Sequence, residues 1–337
     1  MMVLKILKYA AGGILALLVI LLVVLQVGSW VSMDRELTHT TASEDLPQFT
    51  QTSGTGLVNI SANNMTFRAR IAGFDGDLDK PVMILLHGFP VTSAMWLGLI
   101  EPLADSGLRV VAFDQRGYST GARPGAVEAY EIGNLTSDVF AVADAVGAER
   151  FHLAGHDWGA AVGWATVMTR PDRVISWTGL SIAHPEAFQQ ALANDPDQQA
   201  RSGYFAFFRT PWLPETAFTF NDLALLRGLY FGMGPEKTDE YIGVFKEPGA
   251  LEAGLNWYRA MAQGPGEVDA STTDVSTPTL FIWGNEDQAV GRAAIDAMSE
   301  FMKGPYRNVE LNAGHWMMVD DQPRIVEEVV AHVSHHR

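Results

Sequence analysis

The chain predicts an α/β protein: a mostly parallel sheet with helices on both faces, an inserted helical cap, and one transmembrane helix ahead of both. Three observations predict it. Short strands of Val, Ile and Leu alternate with amphipathic helical stretches. A segment of about ninety residues, helical in pattern and crowded with aromatics, interrupts that alternation. An almost wholly apolar run lies near the N-terminus. In order, residues 57–60 and 65–71 read as an opening antiparallel pair, and 81–86 as a short buried strand ending at His87-Gly88. Residues 93–106 read as helix, 109–113 as strand, 131–146 as helix, 151–154 as strand, 159–169 as helix and 174–182 as a sixth strand. The rhythm then breaks until about Ser276 and resumes with strands at 279–283 and 308–311 and helices at 291–302 and 322–335. An insertion after the sixth strand is best placed as a cap over the sheet's C-terminal edge, where open α/β sheets bind ligands.

These signals divide the chain into an N-terminal anchor (1–30), a polar Ser- and Thr-rich tether (31–56), a core (57–183 and 275–337) and a cap (184–274). Tyr9 to Val27 is long enough to cross a hydrocarbon core as a helix. The run is longer than the apolar region of a cleaved signal peptide, and no A-x-A site follows it, which favours an anchor over a signal. Lys5 and Lys8 on its N-terminal flank favour a cytoplasmic N-terminus, which expects a single-pass protein with its large domain on the non-cytoplasmic side. A net charge of −16 argues against a nucleic-acid partner. With no cysteine, disulfides and thiolate metal sites are excluded.

Gly155-His156-Asp157-Trp158-Gly159-Ala160 directly follows the apolar run Phe151-His152-Leu153-Ala154. A strand here enters a sharp turn between small residues and then a helix, which is the layout of a nucleophile elbow, with aspartate where serine is usual. A carboxylate there attacks saturated carbon and leaves an alkyl ester that water must cleave. The remaining parts follow in the order nucleophile, acid, histidine. Trp283-Gly284-Asn285-Glu286-Asp287 ends a strand and supplies Asp287, or alternatively Glu286, as orienting acid; Gly314-His315-Trp316 follows the last strand and supplies His315 as base. Backbone N–H groups of Phe89, after the third strand, and of Trp158, after the nucleophile, are the expected oxyanion donors. His87, His156 and His184 read as structural hydrogen-bonders.

His87-Gly88-Phe89-Pro90, Asp114-Gln115-Arg116-Gly117-Tyr118-Ser119, the Asp157 elbow and Gly314-His315-Trp316 together resemble the epoxide hydrolases of the α/β-hydrolase fold. In the cap, Leu255-Asn256-Trp257-Tyr258-Arg259 and Ser202-Gly203-Tyr204-Phe205-Ala206-Phe207-Phe208 resemble the segments that carry that family's two epoxide-activating tyrosines. The likeness covers residues 57 to 337. It implies Tyr258 and Tyr204 as proton donors to the ring oxygen, although the aromatic run around Tyr204 leaves room for a slip of one residue. His87, Pro90, Trp257 and Trp316 are expected to border the substrate pocket. The implied reaction turns a small apolar epoxide into a vicinal diol through an ester on Asp157, with no metal and no organic cofactor. Gln115 carries no functional expectation.

Two other readings use the same residues. A haloalkane or haloacid dehalogenase shares the aspartyl ester, and Trp158 would suit a halide donor, but Phe89 offers no side-chain donor and the paired cap tyrosines would have no role. A non-catalytic, membrane-tethered binding protein would have no use for Asp157, Asp287 and His315 together.

Overall fold

The computed structural model describes residues 45–264 and 273–336. The expected anchor, and the tether up to residue 44, lie outside these residues. Among the described residues no helix is long and apolar enough to cross a membrane.

Eight strands form one sheet in the order β1-β2-β4-β3-β5-β6-β7-β8. β1 (Gly54–Ala62) and β2 (Met65–Phe74) are antiparallel to each other, and β2 is antiparallel to β4 (Arg109–Phe113). β3 (Val82–Leu86), β4, β5 (Phe151–His156), β6 (Val174–Leu180), β7 (Thr279–Gly284) and β8 (Tyr306–Leu311) run parallel. Every residue of β3, β4 and β5 is buried, which is why these strands read as nearly continuous apolar runs, broken only by Arg109, His152 and His156, rather than as alternating ones. The covering helices form two groups: α1 (Leu97–Asp105) packs on α12 (Gln322–His335), and α2 (Ile132–Ala145) on α3 (Trp158–Thr169).

Several boundaries differ from the sequence reading, three of them for local reasons that the structure shows. The helix expected over 93–106 begins as a 3-10 turn at Ser93–Trp96, where Thr92 caps the Ala94 N–H. The helix expected over 291–302 ends at Ala297 as α10 (Arg292–Ala297) and tightens into a 3-10 turn at Met298–Glu300. Residues 45–56 were expected to belong to a tether with little structure. They lie on the sheet instead: the Phe49 N–H bonds the Asn59 carbonyl at 2.8 Å, and its ring meets Phe74 edge-on at 4.9 Å. Polar composition concealed this, because a single aromatic anchors the segment.

The cap consists of α4 (Pro185–Asn194), α5 (Pro196–Arg201), α6 (Tyr204–Arg209), α7 (Leu213–Leu229, broken at Phe220, Asn221, Asp222 and Leu223), α8 (Pro235–Lys246) and α9 (Ala250–Met261). Glu240 of α8 fastens it to the core. Its carboxylate meets Arg68 at 3.0 Å, pairs closely with Arg70, and accepts the Thr92 hydroxyl at 2.7 Å. Arg68 also pairs with Asp114 at 2.6 Å, and Asp114 accepts the Ser93 N–H at 2.7 Å. Two cations and two anions are thereby removed from water together, the arrangement in which buried charge is tolerable. The network ties the cap to the loop that follows β3.

Candidate active site

The site begins with a strained backbone. Asp157 sits between β5 and α3 at φ +54°, ψ −125°, a conformation that bulky residues rarely adopt. Small neighbours permit the turn: a methyl group on Gly155 would overlap the Gly159 carbonyl, and one on Gly159 would overlap that of Leu86. The strain aims the Asp157 carboxylate out of the sheet. Its Oδ1 accepts the Phe89 N–H at 2.8 Å, and the Trp158 N–H, at the start of α3, lies close enough to favour the carboxylate charge. Burial pushes the Asp157 pKa up, while His315 and these two amides oppose the rise.

His315 follows β8 and faces Asp157 with Nε2 3.6 Å from Oδ2. Its Nδ1 lies 3.2 Å from both carboxylate oxygens of Asp287. Asp287 is fully buried and also accepts the Ala289 and Val290 N–H groups, at 2.7 and 3.2 Å. Burial alone would raise its pKa, but His315, Ser181 and the Ala289 amide bring it to about 2. Burial likewise opposes a charge on His315, yet Asp287 and Asp157 raise it to about 9. Glu286 is exposed, with its side chain outside this arrangement. The geometry therefore selects Asp287 of the two candidate acids.

Tyr204 on α6 and Tyr258 on α9 line one cavity with Asp157 and Trp158, of about 360 Å³. Their ring centres are 6.2 Å apart. Burial and the Asp157 charge raise the pKa of Tyr204; burial, Tyr204 and Asp157 do the same for Tyr258, so both phenols keep their protons. The Trp158 ring meets that of Tyr258 edge-on at 5.1 Å. A buried carboxylate and two protonated phenols share one cavity, and a histidine–aspartate pair stands beside the carboxylate. Such a set can alkylate the carboxylate, protonate a leaving oxygen and activate water.

A family model described as alpha/beta hydrolase fold matches residues 81–322, well over half of the chain. Epoxide hydrolase A of Mycobacterium tuberculosis is 33% identical over 300 residues, which cover 77% of this chain and 91% of that protein. The chain belongs to the epoxide hydrolases of the α/β-hydrolase fold. The AB hydrolase superfamily protein YfhM of Bacillus subtilis is 32% identical over 80% of this chain and 95% of its own length. The crystal structure of Epoxide Hydrolase A from Mycobacterium thermoresistibile superposes with a TM-score of 0.71 at 29% identity, covering 83% of this chain and 98% of that one.

In this epoxide hydrolase the four residues expected to border the pocket stand elsewhere. None lines the cavity that contains Asp157. His87 is buried, with Nδ1 2.9 Å from the Gly88 carbonyl and Nε2 accepting the Gln115 N–H at 3.0 Å, so it braces the oxyanion loop. Pro90 follows Phe89 through a cis peptide, and its carbonyl accepts the Tyr230 hydroxyl. Trp257 points from α9 into the core, where its indole donates to the Arg116 carbonyl at 3.0 Å. Its neighbour Tyr258 takes the cavity position because adjacent helical residues point about 100° apart. Trp316 packs against His156 and His315 and lines a separate recess of about 20 Å³. His156 and His184 are bracing residues, as expected: His156 Nε2 lies 2.8 Å from the His315 carbonyl, and His184 caps α4.

Two residues escaped sequence reasoning. Gln115, given no role, holds the oxyanion loop through its backbone N–H to His87 Nε2 and its side-chain amide to the His87 carbonyl, at 3.0 and 2.5 Å. Ser181 follows β6 at φ +70°, fully buried, with its hydroxyl donating to Asp287 Oδ2 at 2.6 Å and lying 3.0 Å from His315 Nδ1. Its place at the carboxyl end of a central strand, where sites gather, was the available signal.

Proposed function

We propose that the chain hydrolyses an epoxide to a vicinal diol through a covalent alkyl ester on Asp157. Asp157 attacks the less hindered ring carbon while the Tyr204 and Tyr258 hydroxyls hold the ring oxygen and protonate it as the C–O bond breaks. Phenol donors of this kind contribute roughly 10²–10⁴ in rate. Ester formation removes the Asp157 charge, one of the two anions that keep His315 protonated, so the imidazole becomes a competent base at that stage. The imidazolium releases its proton to water as the phenolate left by ring opening regains one from water, so His315 is neutral and both phenols are restored before the second step. Neutral His315, oriented by Asp287 and Ser181, then deprotonates the water that attacks the ester carbonyl. The resulting oxyanion lies between the Phe89 and Trp158 amides, each such donor being worth about 3–4 kcal/mol. No step calls for a metal or an organic cofactor.

The observation that carries this reading is the convergence of Asp157, Tyr204 and Tyr258 on one cavity, because a departing halide would need N–H donors rather than two phenols. Diol formation from styrene oxide, abolished in Asp157→Ala, tests it. Bromide release from bromoalkanes with no diol from styrene oxide would select dehalogenation; binding without turnover of either would select a ligand-binding protein.

The apolar run from Tyr9 to Val27 supports the further reading that the enzyme is held at a bilayer by a single N-terminal span, with the catalytic domain on the non-cytoplasmic side. Apolar epoxides partition into lipid, so such a tether raises their local concentration. Release of the full chain from membranes by high salt or carbonate, without detergent, would refute the span.

A further inference from the structure

The cavity wall carries a charge that the proposed reaction does not use. Arg209 closes α6 and lines the same cavity as Asp157, Tyr204 and Tyr258. Its guanidinium carbon stands 5.4 Å from the centre of the Phe205 ring, and its buried Nε has no hydrogen-bond partner among the described residues. Among the described residues it forms no ion pair, whereas its cap neighbours Arg201, Arg227 and Arg259 are each paired with an Asp or Glu. A buried donor left unmade is costly, and stacking on Phe205 offsets only part of that cost. In a chain of net charge −16, a lone cation facing ligand space is where an incoming anion would be stabilised. A guanidinium fork matches a carboxylate bidentately.

We propose that Arg209 is a specificity residue that binds the carboxylate of an anionic epoxide. The proposal rests on the epoxide-hydrolase reading above and narrows its substrate class from apolar to amphiphilic. The apolar body lies along Ile182, Phe188, Leu192 and Met261, which line the same cavity, and the epoxide ring faces Asp157 and the two tyrosines. Tyr204 and Arg209 are five residues apart on one helix, about 7 Å along its axis. The carboxylate therefore sits several bonds from the ring, on an aryl or acyl arm, and takes no part in the chemistry.

The test compares 4-(oxiran-2-yl)benzoate with 4-(oxiran-2-yl)benzamide, which share a shape and differ in charge, using the full chain. The benzoate should show a kcat/KM about tenfold or more above the benzamide, the size of one charge-assisted hydrogen bond, with most of the difference in KM. In Arg209→Met, which keeps an apolar stem over Phe205, that ratio should fall to about one. Arg209→Gln serves as a second variant read in the same way. Equal kcat/KM values in the wild type, or a preference that survives both substitutions, would overturn the proposal. If neither compound yields diol, the epoxide reading is at fault and the anion site is read by binding alone. Quenching of tryptophan fluorescence by 4-ethylbenzoate and 4-ethylbenzamide then decides: tighter benzoate binding lost in Arg209→Met upholds the site, and equal binding removes it.

Discussion

Replacing His315 by glutamine should separate the two halves of the reaction. Asp157 keeps its Phe89 and Trp158 amide donors and can still be alkylated. The variant lacks the base whose Nε2 stands 3.6 Å from Asp157 Oδ2. A positioned general base contributes roughly 10²–10⁴ in rate, so steady-state diol formation should fall by about that factor while the ester accumulates. Loss of the imidazolium also removes the charge that counters burial at Asp157. The carboxylate then ionises at higher pH, and the alkylation profile of the variant should move upward. Intact mass measured seconds after mixing with styrene oxide should rise by one substrate, and peptide mapping should place the addition on Asp157. Epoxide consumed with no mass gained on that peptide would refute the ester. The same variant tests the electrostatics. His315 is raised from 6.5 to about 9 in the folded protein, so its proton stabilises the fold fully below pH 6.5, and that contribution is lost as pH rises through about 9. At about 1.36 kcal/mol for each tenfold change in proton affinity, the loss across this window is about 3 kcal/mol. Denaturant midpoints of the wild type should fall over that interval and those of His315→Gln should not. Equal slopes in the two proteins would show that His315 is not held protonated by its two aspartates.

Two further outcomes follow from groups that the sequence did not advertise. Ser181→Ala removes a 2.6 Å hydrogen bond to a buried carboxylate, worth about 1.5–3 kcal/mol; ester hydrolysis should slow by roughly tenfold or more with its pH profile shifted, while alkylation measured by single-turnover mass analysis stays near wild type, and an unshifted profile would mean that Ser181 only fills space. Glu240→Gln leaves Arg70 without its carboxylate partner where the cap meets the core, and thermal unfolding should reveal a loss toward the lower end of the about 3–5 kcal/mol typical of broken buried pairs; an unchanged midpoint would show that water already solvates the pair.

Much of the site was legible because its chemistry is tied to chain punctuation. Asp157, Asp287 and His315 each stand just beyond a strand, and strand ends are marked by apolar runs giving way to glycine: Gly155, Gly284 and Gly314. The tyrosines were legible only through family likeness, since an aromatic-rich cap offers many rings and letters do not say which face each takes. That is why Trp257 was expected at the pocket together with Tyr258: about 100° of helical rotation sends Trp257 into the core and Tyr258 into the cavity. Asp287 was preferred to its neighbour Glu286 as orienting acid, but adjacent letters left the second open. The turn after β7 exposes one and buries the other among four hydrogen-bond donors.

By itself, the sequence determined the sheet, the cap insertion, the aspartyl elbow and the order of the catalytic parts, because periodicity and glycine placement act locally along the chain. Tertiary structure alone decided which hydroxyl steadies the Asp287–His315 pair, which rings face the cavity, how Glu240 fastens the cap, and that Arg209 meets the cavity with no ion pair among the described residues. These depend on side chains from distant segments sharing one buried volume. The pKa values there come from burial set against the charges and hydrogen bonds of those neighbours, and no linear pattern encodes that balance.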